Sequence, residues 1–245
     1  MLTPKEKERY SRQILLFGEK PQIKLKKSTV AVVGVGGLGS FNSLYLAAAG
    51  VGRIVLVDKE KVELSNLNRQ VLYWTRDIGE VKVEKAAEKL RELNPEIEVE
   101  PMAVEVNEET IREVVKRADI VLDGLDNWKT RLIVNKVCVE ENKPFIHAGV
   151  KGLSGQILVV IPHKTPCLQC ILPPKIREEK TPPVIATTVG LIAALQAQEA
   201  IKILTGLGEP LKNKILLFNG YTNTFTTVEV NRRKDCQVCG KTISH

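Results

Sequence analysis

Residues 34–39 have the composition of a loop that binds a nucleotide. They read Gly-Val-Gly-Gly-Leu-Gly, with three glycines at the spacing Gly-x-Gly-x-x-Gly. The apolar run Thr29–Val33 predicts a strand before the loop, and an alanine-rich segment predicts a helix after it. Such glycines allow a tight turn, a close approach to phosphate and close packing of helix on strand. The N–H groups of the helix N-terminus would bind an anion. The glycines of this predicted nucleotide site are Gly34, Gly36, Gly37 and Gly39.

An acidic residue ends the next predicted strand. Asp58 lies nineteen residues after Gly39, where a carboxylate can accept hydrogen bonds from ribose hydroxyls. That pattern alone fits either an NAD-dependent oxidoreductase or a protein that binds ATP. The segment after Asp58 favours ATP, because Arg69 can bind phosphate oxygens with a planar fork and Lys82 adds a second positive charge. Each of these cations alone could be an ordinary surface residue.

The predicted strand that ends at Asp123 is followed by Gly-Leu-Asp-Asn. The carboxyl ends of parallel strands face the ligand crevice, so Asp126 could bind Mg²⁺ on the phosphates of ATP. Alternatively, Asp126 or Asn127 only caps the helix that follows. The spacing does not separate these two interpretations.

Four of the five cysteines form two C-x-x-C pairs. Two such pairs provide the four thiolates of a tetrahedral zinc site, and because no ligand position stays open the zinc would be structural. Disulfides are disfavoured in a cytoplasmic protein, and a redox role for one pair leaves the other unexplained. Cys138 fits a small buried apolar residue. The predicted zinc ligands are Cys167, Cys170, Cys236 and Cys239.

The elements that must position these residues alternate between strand and helix. This pattern predicts an α/β fold: a Rossmann-like parallel sheet with helices on both faces, extended by antiparallel C-terminal strands and a Cys₄ zinc knuckle. A first helix is expected from Pro4 to Phe17, a late helix over Val184–Leu204, and a long crossing loop over 162–183. We expect one domain over 1–245, with N-terminal helices (1–27), a nucleotide-binding core (28–150) and a further sheet with the crossing loop and zinc site (151–245). The predicted strands are Thr29–Val33, Arg53–Asp58, Glu98–Val104, Asp119–Asp123, Pro144–Val150, Gln156–Ile161, Ile215–Phe218 and Thr224–Val230.

The charges are scattered rather than concentrated. The net charge of +7 comes from 36 Lys+Arg against 29 Asp+Glu, and no basic run is interleaved with aromatic residues. We therefore expect no direct nucleic-acid binding. No apolar stretch has the length of a membrane span, and the charged N-terminus lacks the apolar region of a secretory signal. These features predict a cytoplasmic protein.

Taken in order, these motifs resemble the MoeB/ThiF family, bacterial relatives of the ubiquitin-activating enzymes. The resemblance covers nearly the whole chain, and its most specific part is Ser-Asn-Leu-Asn-Arg-Gln at residues 65–70. It implies an adenylyltransferase that uses ATP and Mg²⁺ to activate the C-terminal glycine of a ubiquitin-like sulfur carrier ending in Gly-Gly, with release of pyrophosphate. The residues that carry the resemblance are Arg9–Gln13, Gly34–Gly39, Asp58, Ser65–Gln70, Lys82, Asp126, Asn127 and the two C-x-x-C pairs.

The resemblance also implies roles for single residues. Asp58 would bind the ribose, Arg69 and Lys82 the phosphates, and Asp126 would bind Mg²⁺ or steer the α-phosphate. Arg12 would reach across a homodimer into the site of the partner subunit, and the sheet within 151–245 would bind the carrier. The remaining residues of the implied nucleotide site are Ser65, Asn66, Asn68 and Asn127.

One departure from the family concerns the loop after the first C-x-x-C pair. Some relatives have a cysteine there that bonds covalently to the carrier, whereas Ile171–Val189 contains none. We therefore expect the reaction to stop at the acyl-adenylate, with a separate sulfur donor. The carrier could serve the synthesis of molybdopterin, the synthesis of thiamin or the thiolation of tRNA. Two competing functions are a non-catalytic scaffold for ubiquitin-like folds and a tRNA-modifying ATP-dependent dehydratase.

Overall fold

The N-terminal segment forms three short helices before the first strand. The computed structural model describes residues 1–173 and 182–240, and in it the helices are α1 (Pro4–Arg9), α2 (Ser11–Phe17) and α3 (Glu19–Lys27). Thr3 and Glu6 form the capping box that begins α1. The prediction of one helix from Pro4 to Phe17 is wrong at Tyr10, which is buried and accepts a hydrogen bond from Asn94 Nδ2 at 2.8 Å. Burial of the Tyr10 side chain and its bond with Asn94 hold this residue between α1 and α2, so the predicted helix is divided there.

The first five strands form a parallel sheet. They are β1 (Thr29–Val33), β2 (Arg53–Val57), β3 (Glu98–Met102), β4 (Ile120–Asp123) and β5 (Phe145–Lys151). Their order in the sheet is β3-β2-β1-β4-β5, and every neighbouring pair is parallel. The order reverses at β1, so the loops after β1 and β4 meet at the carboxyl edge of the sheet. In such sheets this position is where ligands bind.

Three further strands extend the sheet in antiparallel fashion. β6 (Ser154–Val160) pairs with β5, β7 (Lys214–Asn219) with β6, and β8 (Thr224–Glu229) with β7. The complete order is β3-β2-β1-β4-β5-β6-β7-β8. The predicted fold class, a parallel sheet extended by antiparallel C-terminal strands, is therefore confirmed.

Helices cover both faces of the sheet because side chains along each strand point alternately to opposite sides. Val30 and Val32 of β1 pack in one core with α4 (Gly37–Ala49), α5 (Lys82–Leu93) and α9 (Ala186–Thr205). Ala31 and Val33 pack in the other core. The helices of that second face are α6 (Glu108–Arg117), α7 (Trp128–Glu140) and the short α8 (Leu168–Ile171).

The late helix begins two residues after the predicted start. Val184 forms an isolated bridge with Gly152, and the Gly152 amide donates to the Pro183 carbonyl at 2.6 Å. Pairing with β-structure keeps these residues extended, so α9 starts at Ala186. Within the predicted crossing loop, Leu168–Ile171 is helical, and residues 174–181 lie outside the described part of the chain. Among the described residues, no helix has the length and apolar character needed to cross a membrane.

Candidate nucleotide site and metal site

The glycine loop joins β1 to α4 in a conformation that requires two of its glycines. Gly34 has φ +86°, and a Cβ there would lie 2.7 Å from the carbonyl of Gly124. A Cβ on Gly39 would lie 1.9 Å from the Gly34 carbonyl oxygen. Because α4 begins at Gly37, the amides of its first turn lie at the loop and have no partner within the helix. The loop therefore has the geometry of an anion-binding helix N-terminus.

Asp58 fixes this loop to the end of β2. Its Oδ2 accepts from the Val35 amide at 2.8 Å, and its Oδ1 accepts from the Glu60 amide at 2.9 Å. The side chain is only partly buried. An ionised carboxylate has about four acceptor positions, so two backbone contacts leave capacity for the hydroxyls of a ribose.

The segment 64–70 lies beside the first turn of α4. A Cβ on Gly37 would lie 3.9 Å from Arg69 Cδ, and Gly36 lies near the Gln70 side chain. Arg69 Nη1 donates to the Ser65 carbonyl at 2.9 Å and to Asn68 Oδ1 at 3.0 Å. These bonds hold a five-donor guanidinium next to the glycine loop.

Ser65 and Asn66 have local contacts within the same segment. Ser65 is exposed, and its hydroxyl donates to Glu63 Oε2 at 3.3 Å. Asn66 is buried, and its Oδ1 accepts from the Glu63 amide at 3.1 Å. Asn66 therefore shapes the turn, and its predicted contact with nucleotide stays a prediction.

Lys82 has a buried side chain that ends in an ion pair. Its side chain is 2% exposed, and Nζ lies 2.6 Å from Oε2 of Glu60, whose side chain is 59% exposed. The Lys82 amide also donates to the Glu60 carbonyl at 3.0 Å. Because Asp58 binds the Glu60 amide, one short segment links the acidic residue of β2 to the buried lysine. Glu60 was not among the residues predicted from the sequence, although its acidic type and its position two residues after Asp58 are a signal.

The turn after β4 packs directly on the glycine loop. A Cβ on Gly124 would lie 2.1 Å from the Gly34 carbonyl oxygen, so the two turns are in backbone contact. Asn127 Oδ1 caps α7 by accepting from the Thr130 amide at 2.9 Å. Asp126 is exposed and accepts from Asn127 Nδ2 at 3.3 Å. Of the two interpretations left open, the capping role therefore belongs to Asn127, and the Asp126 carboxylate faces solvent beside the loop.

Arg12 does not join this group within one chain. It is exposed on α2, and no hydrogen bond or salt bridge connects it to residues in the described ranges 1–173 and 182–240. The same helix exposes Leu15 and Leu16, which are 81% and 83% accessible.

A buried polar cluster lies behind the β4 turn. Asp123 is completely buried and accepts from His147 Nδ1 at 2.6 Å, and Arg131 Nε lies 3.1 Å from the same carboxylate oxygen. Burial lowers the pKa of His147. Burial raises the pKa of Asp123, but Arg131 and His147 outweigh it and lower that pKa overall. Neither His147 nor Arg131 was among the site residues predicted from the sequence, because the partner of both, Asp123, lies on another element.

The four predicted metal ligands come together. Their sulfur atoms all lie within 4.8 Å of one another, with Cys167–Cys236 at 3.7 Å, Cys170–Cys239 at 3.3 Å and Cys167–Cys170 at 4.0 Å. A tetrahedral zinc with Zn–S bonds of ~2.3 Å has sulfur–sulfur edges of about 3.8 Å. All four side chains are buried, so this cluster has the donors and the size to bind a metal ion.

Burial raises the pKa of Cys167 and Cys170, as it does that of Cys138, whereas the pKa of Cys236 is lowered. Burial raises the pKa of Cys170 to about 11. At Cys236 burial also raises the pKa, but hydrogen bonds with the backbone of Cys239 and Val238 lower it to about 7. Cys138 lies alone in the core, where burial raises its pKa far above that of a free thiol. It has the environment of a small apolar residue.

Comparisons with known proteins agree with this geometry. A model of the ThiF family matches residues 10–238. The chain is 40% identical over 238 residues to the sulfur carrier protein ThiS adenylyltransferase of Escherichia coli (strain K12). The matched region covers 95% of this chain and 94% of that protein. The chain is 40% identical over 242 residues to the SAMP-activating enzyme E1 of Haloferax volcanii, covering 96% and 89%. The crystal structure of E. coli MccB with ATP superposes with a TM-score of 0.86 at 32% identity, over 95% of this chain and 75% of that chain.

Proposed function

We propose that this chain, which belongs to the ThiF family, is an ATP-dependent adenylyltransferase. Its substrate would be the C-terminal glycine of a ubiquitin-like sulfur carrier, which it activates. The observation that supports this most strongly is the backbone contact between Gly34 and Gly124. Through it, the loop suited to phosphate and the turn bearing an exposed carboxylate, Asp126, form one site. Family members named adenylyltransferases match nearly the full chain.

In this proposal the nucleotide lies across the carboxyl edge of the sheet. The phosphates bind the first turn of α4, and Asp58 binds the ribose. Arg69 and Lys82 neutralise the β- and γ-phosphates, and Ser65, Asn66, Asn68 and Asn127 complete the polar lining. Lys82 then exchanges Glu60 for phosphate, which is feasible because Glu60 is mostly exposed and regains water when released.

The chemistry is an in-line displacement at the α-phosphorus. A carboxylate oxygen of the carrier attacks, the bond to the bridging oxygen breaks, and pyrophosphate leaves with its charge balanced by cations. ATP enters as its Mg²⁺ complex, and Asp126 is the hard oxygen ligand suited to that ion. The remaining positive charge would come from Arg12 of the partner subunit in a homodimer.

The exposed apolar residues of α2 support the homodimer. Leu15 and Leu16 stand beside Arg12 and are among the most exposed large apolar side chains in the described part of the chain. Contiguous exposed apolar surface is typical of protein contacts. A subunit seated on α2 would cover both leucines while receiving Arg12.

The product is proposed to be the acyl-adenylate. Ile171–Val189 contains no cysteine, and Cys138 is buried, so neither position offers a thiolate for a covalent link to the carrier. A separate sulfur donor would then attack the adenylate. The four clustered cysteines would bind structural Zn²⁺, which joins the segment after β6 to the C-terminal segment, and residues 1–245 would act as one domain.

The experiment that tests the function is exchange of radiolabelled pyrophosphate into ATP. We expect exchange only when a carrier ending in Gly-Gly, taken from the same genome, is present with Mg²⁺. The matched control is the same carrier without its last glycine, which has no carboxylate at the reacting position. Absence of exchange with every such carrier would refute the proposed function, and binding of NAD in place of ATP would support the oxidoreductase instead.

A further inference from the structure

The turn between β4 and α7 is held from three sides. Gly124 contacts the glycine loop so closely that a Cβ on it would lie 2.1 Å from the Gly34 oxygen. The Leu125 amide donates to Asp123 Oδ1 at 2.9 Å, and the Leu125 carbonyl accepts from Arg131 Nη2. Asp126 thus follows a residue whose N–H and C=O are both bound to buried side chains.

Arg131 connects this turn to the sheet. Its Nε lies 3.1 Å from Asp123 Oδ2, and its Nη2 also donates to the Ala148 carbonyl of β5 at 3.3 Å. The side chain is 9% exposed, and its guanidinium lies 5.1 Å from the centre of the Trp128 ring. A planar fork can bind three acceptors on three segments at once, whereas the compact ammonium of a lysine cannot reproduce that geometry.

The anchor that Arg131 uses is itself fixed. His147 donates from Nδ1 to Asp123, which leaves Nε2 as an acceptor facing the Gln156 side chain at 3.0 Å. Gln196 of α9 donates to the Asp123 carbonyl at 3.0 Å and accepts from Asn42 of α4 at 2.7 Å. Asp123, which receives Arg131, is therefore tied through its backbone carbonyl to the helix that begins at the glycine loop.

We propose that Arg131 is a positioning residue for the adenylylation: it fixes the turn that presents Asp126 to the substrate, without touching ATP. This inference rests on the proposed function, in which Asp126 binds Mg²⁺ or steers the α-phosphate. Since Asp58, Arg69 and Lys82 bind the nucleotide from other segments, loss of Arg131 affects the reaction more than ATP binding.

The kinetic test uses Arg131→Lys, which keeps the charge opposite Asp123 and removes the fork. Small displacements of a reacting group cost up to about a hundredfold in rate, so we expect the maximal exchange rate to fall about ten- to hundredfold. We expect the KM for ATP to change by less than about threefold, because the substitution leaves the residues that bind ATP in place. The matched control is Arg112→Gln, which leaves exchange unchanged. It removes an arginine of α6 that pairs with Glu108 of the same helix and with Glu140 and Glu141 at the C-terminal end of α7.

A double-mutant cycle with Asp126→Asn shows whether Arg131 acts on the reaction through Asp126 or independently of it. If Arg131 acts through Asp126, Arg131→Lys in the Asp126→Asn background costs no further activity, whereas independent effects multiply. Multiplied losses, an unchanged rate in Arg131→Lys, or failure of Arg131→Lys to fold would each overturn the proposal in favour of a structural role.

A second measurement does not depend on activity. Hydrogen–deuterium exchange of the peptide spanning 124–127 is expected to be faster in Arg131→Lys than in the parent chain and unchanged in Arg112→Gln. Equal exchange in all three would overturn the proposal even if pyrophosphate exchange succeeds. Absence of pyrophosphate exchange in the parent chain would instead refute the proposed function, so the two failures are distinguishable.

Discussion

Two buried lysines, Lys82 and Lys89, differ in what surrounds their charges. Lys82 pairs with Glu60, which is mostly exposed, whereas Lys89 pairs with Asp77, which is as buried as the lysine itself. Lys89 also donates to the Leu72 carbonyl and lies 4.1 Å from the centre of the Trp74 ring. A charge whose partner can return to water is available for exchange with a ligand, and a charge locked to a buried partner is structural.

Substitution by methionine distinguishes these two lysines. Lys82→Met keeps the apolar stem and leaves Glu60 in water, so we expect a loss of pyrophosphate exchange of at least about tenfold with the free energy of unfolding within ~1 kcal/mol of the parent. Lys89→Met leaves Asp77 buried without its cation and should cost about 3 kcal/mol. Denaturant unfolding and exchange assays measure both, and a destabilised but fully active Lys82→Met would contradict the assignment.

The lowered pKa of His147 predicts that the stability of the protein depends on pH. Burial lowers the pKa of His147, so below its unfolded value of about 6.5 the unfolded chain binds a proton that the folded chain does not. We therefore expect the free energy of unfolding to decrease as pH falls from 7 to 5. The decrease should be smaller in His147→Gln and unchanged in a variant of the exposed His163, His163→Asn. An identical pH profile for His147→Gln and the parent would disprove this.

Among the elements, the two turns at the carboxyl edge of the sheet leave no room for side chains at some glycines. A Cβ on Gly39 would collide with the Gly34 backbone, whereas the nearest neighbour of a Cβ on Gly36 is the end of the Gln70 side chain at 3.6 Å. Packing within the chain therefore leaves room for a side chain at Gly36 but not at Gly39. If the loop binds phosphate as proposed, Gly39 serves the fold and Gly36 serves the close approach of backbone to the ligand.

Alanine substitutions test this division. Gly39→Ala is expected to prevent folding or to lower Tm strongly, because backbone atoms at 1.9 Å cannot move apart cheaply. Gly36→Ala should fold with a Tm close to the parent yet bind ATP at least about tenfold more weakly, since the methyl group blocks close approach to phosphate. Calorimetry and ATP titration measure the two effects. Tight ATP binding by Gly36→Ala would show that phosphate lies elsewhere.

Across the molecule as a whole, one feature joins segments that are distant along the chain, and a second feature fits the proposed contact with another subunit. The cysteine cluster connects Cys167 and Cys170 with Cys236 and Cys239, which are 69 residues further on. The exposed leucines of α2 lie near the opposite end of the sequence, where the proposed second subunit would cover them. The cysteine cluster connects two segments of one chain, whereas the proposed contact at α2 would bring Arg12 into the site of the partner subunit.

Metal removal should therefore loosen the C-terminal segment. We expect one zinc per chain by elemental analysis, loss of zinc in Cys236→Ser, and a lower Tm after chelation. Release should be easier in acid, because the ligands must be deprotonated to bind. Cys138→Ala, which removes a thiol outside the cluster, should keep its zinc. A full complement of zinc in Cys236→Ser would contradict the site.

Mixing two inactive variants tests the proposed role of Arg12. If Arg12 acts in the partner's site, a mixed dimer of Arg12→Ala and Lys82→Met contains one site with both residues intact. Random re-pairing then restores about a quarter of the parent's exchange activity. Arg12→Ala mixed with itself is the control. No recovery in re-paired dimers would place the role of Arg12 within its own chain or remove it.

Features that depend on neighbouring residues could be predicted before the fold was known. Periodicity predicted the strands, the glycine spacing predicted the loop between β1 and α4, and the two C-x-x-C pairs predicted a cluster that the structure brings together. These predictions succeed because a strand, a turn or a chelating pair is specified by residues a few positions apart.

The partners of the polar groups, in contrast, could be found only in the folded chain. Tyr10 divides the first helix because Asn94 lies beneath it, and Val184 stays extended because Gly152 lies beside it. Lys82 is paired with Glu60, and Arg131 is bound to Asp123 next to His147. A buried charge must find a countercharge wherever the fold provides one, and strand order rather than sequence spacing sets that position.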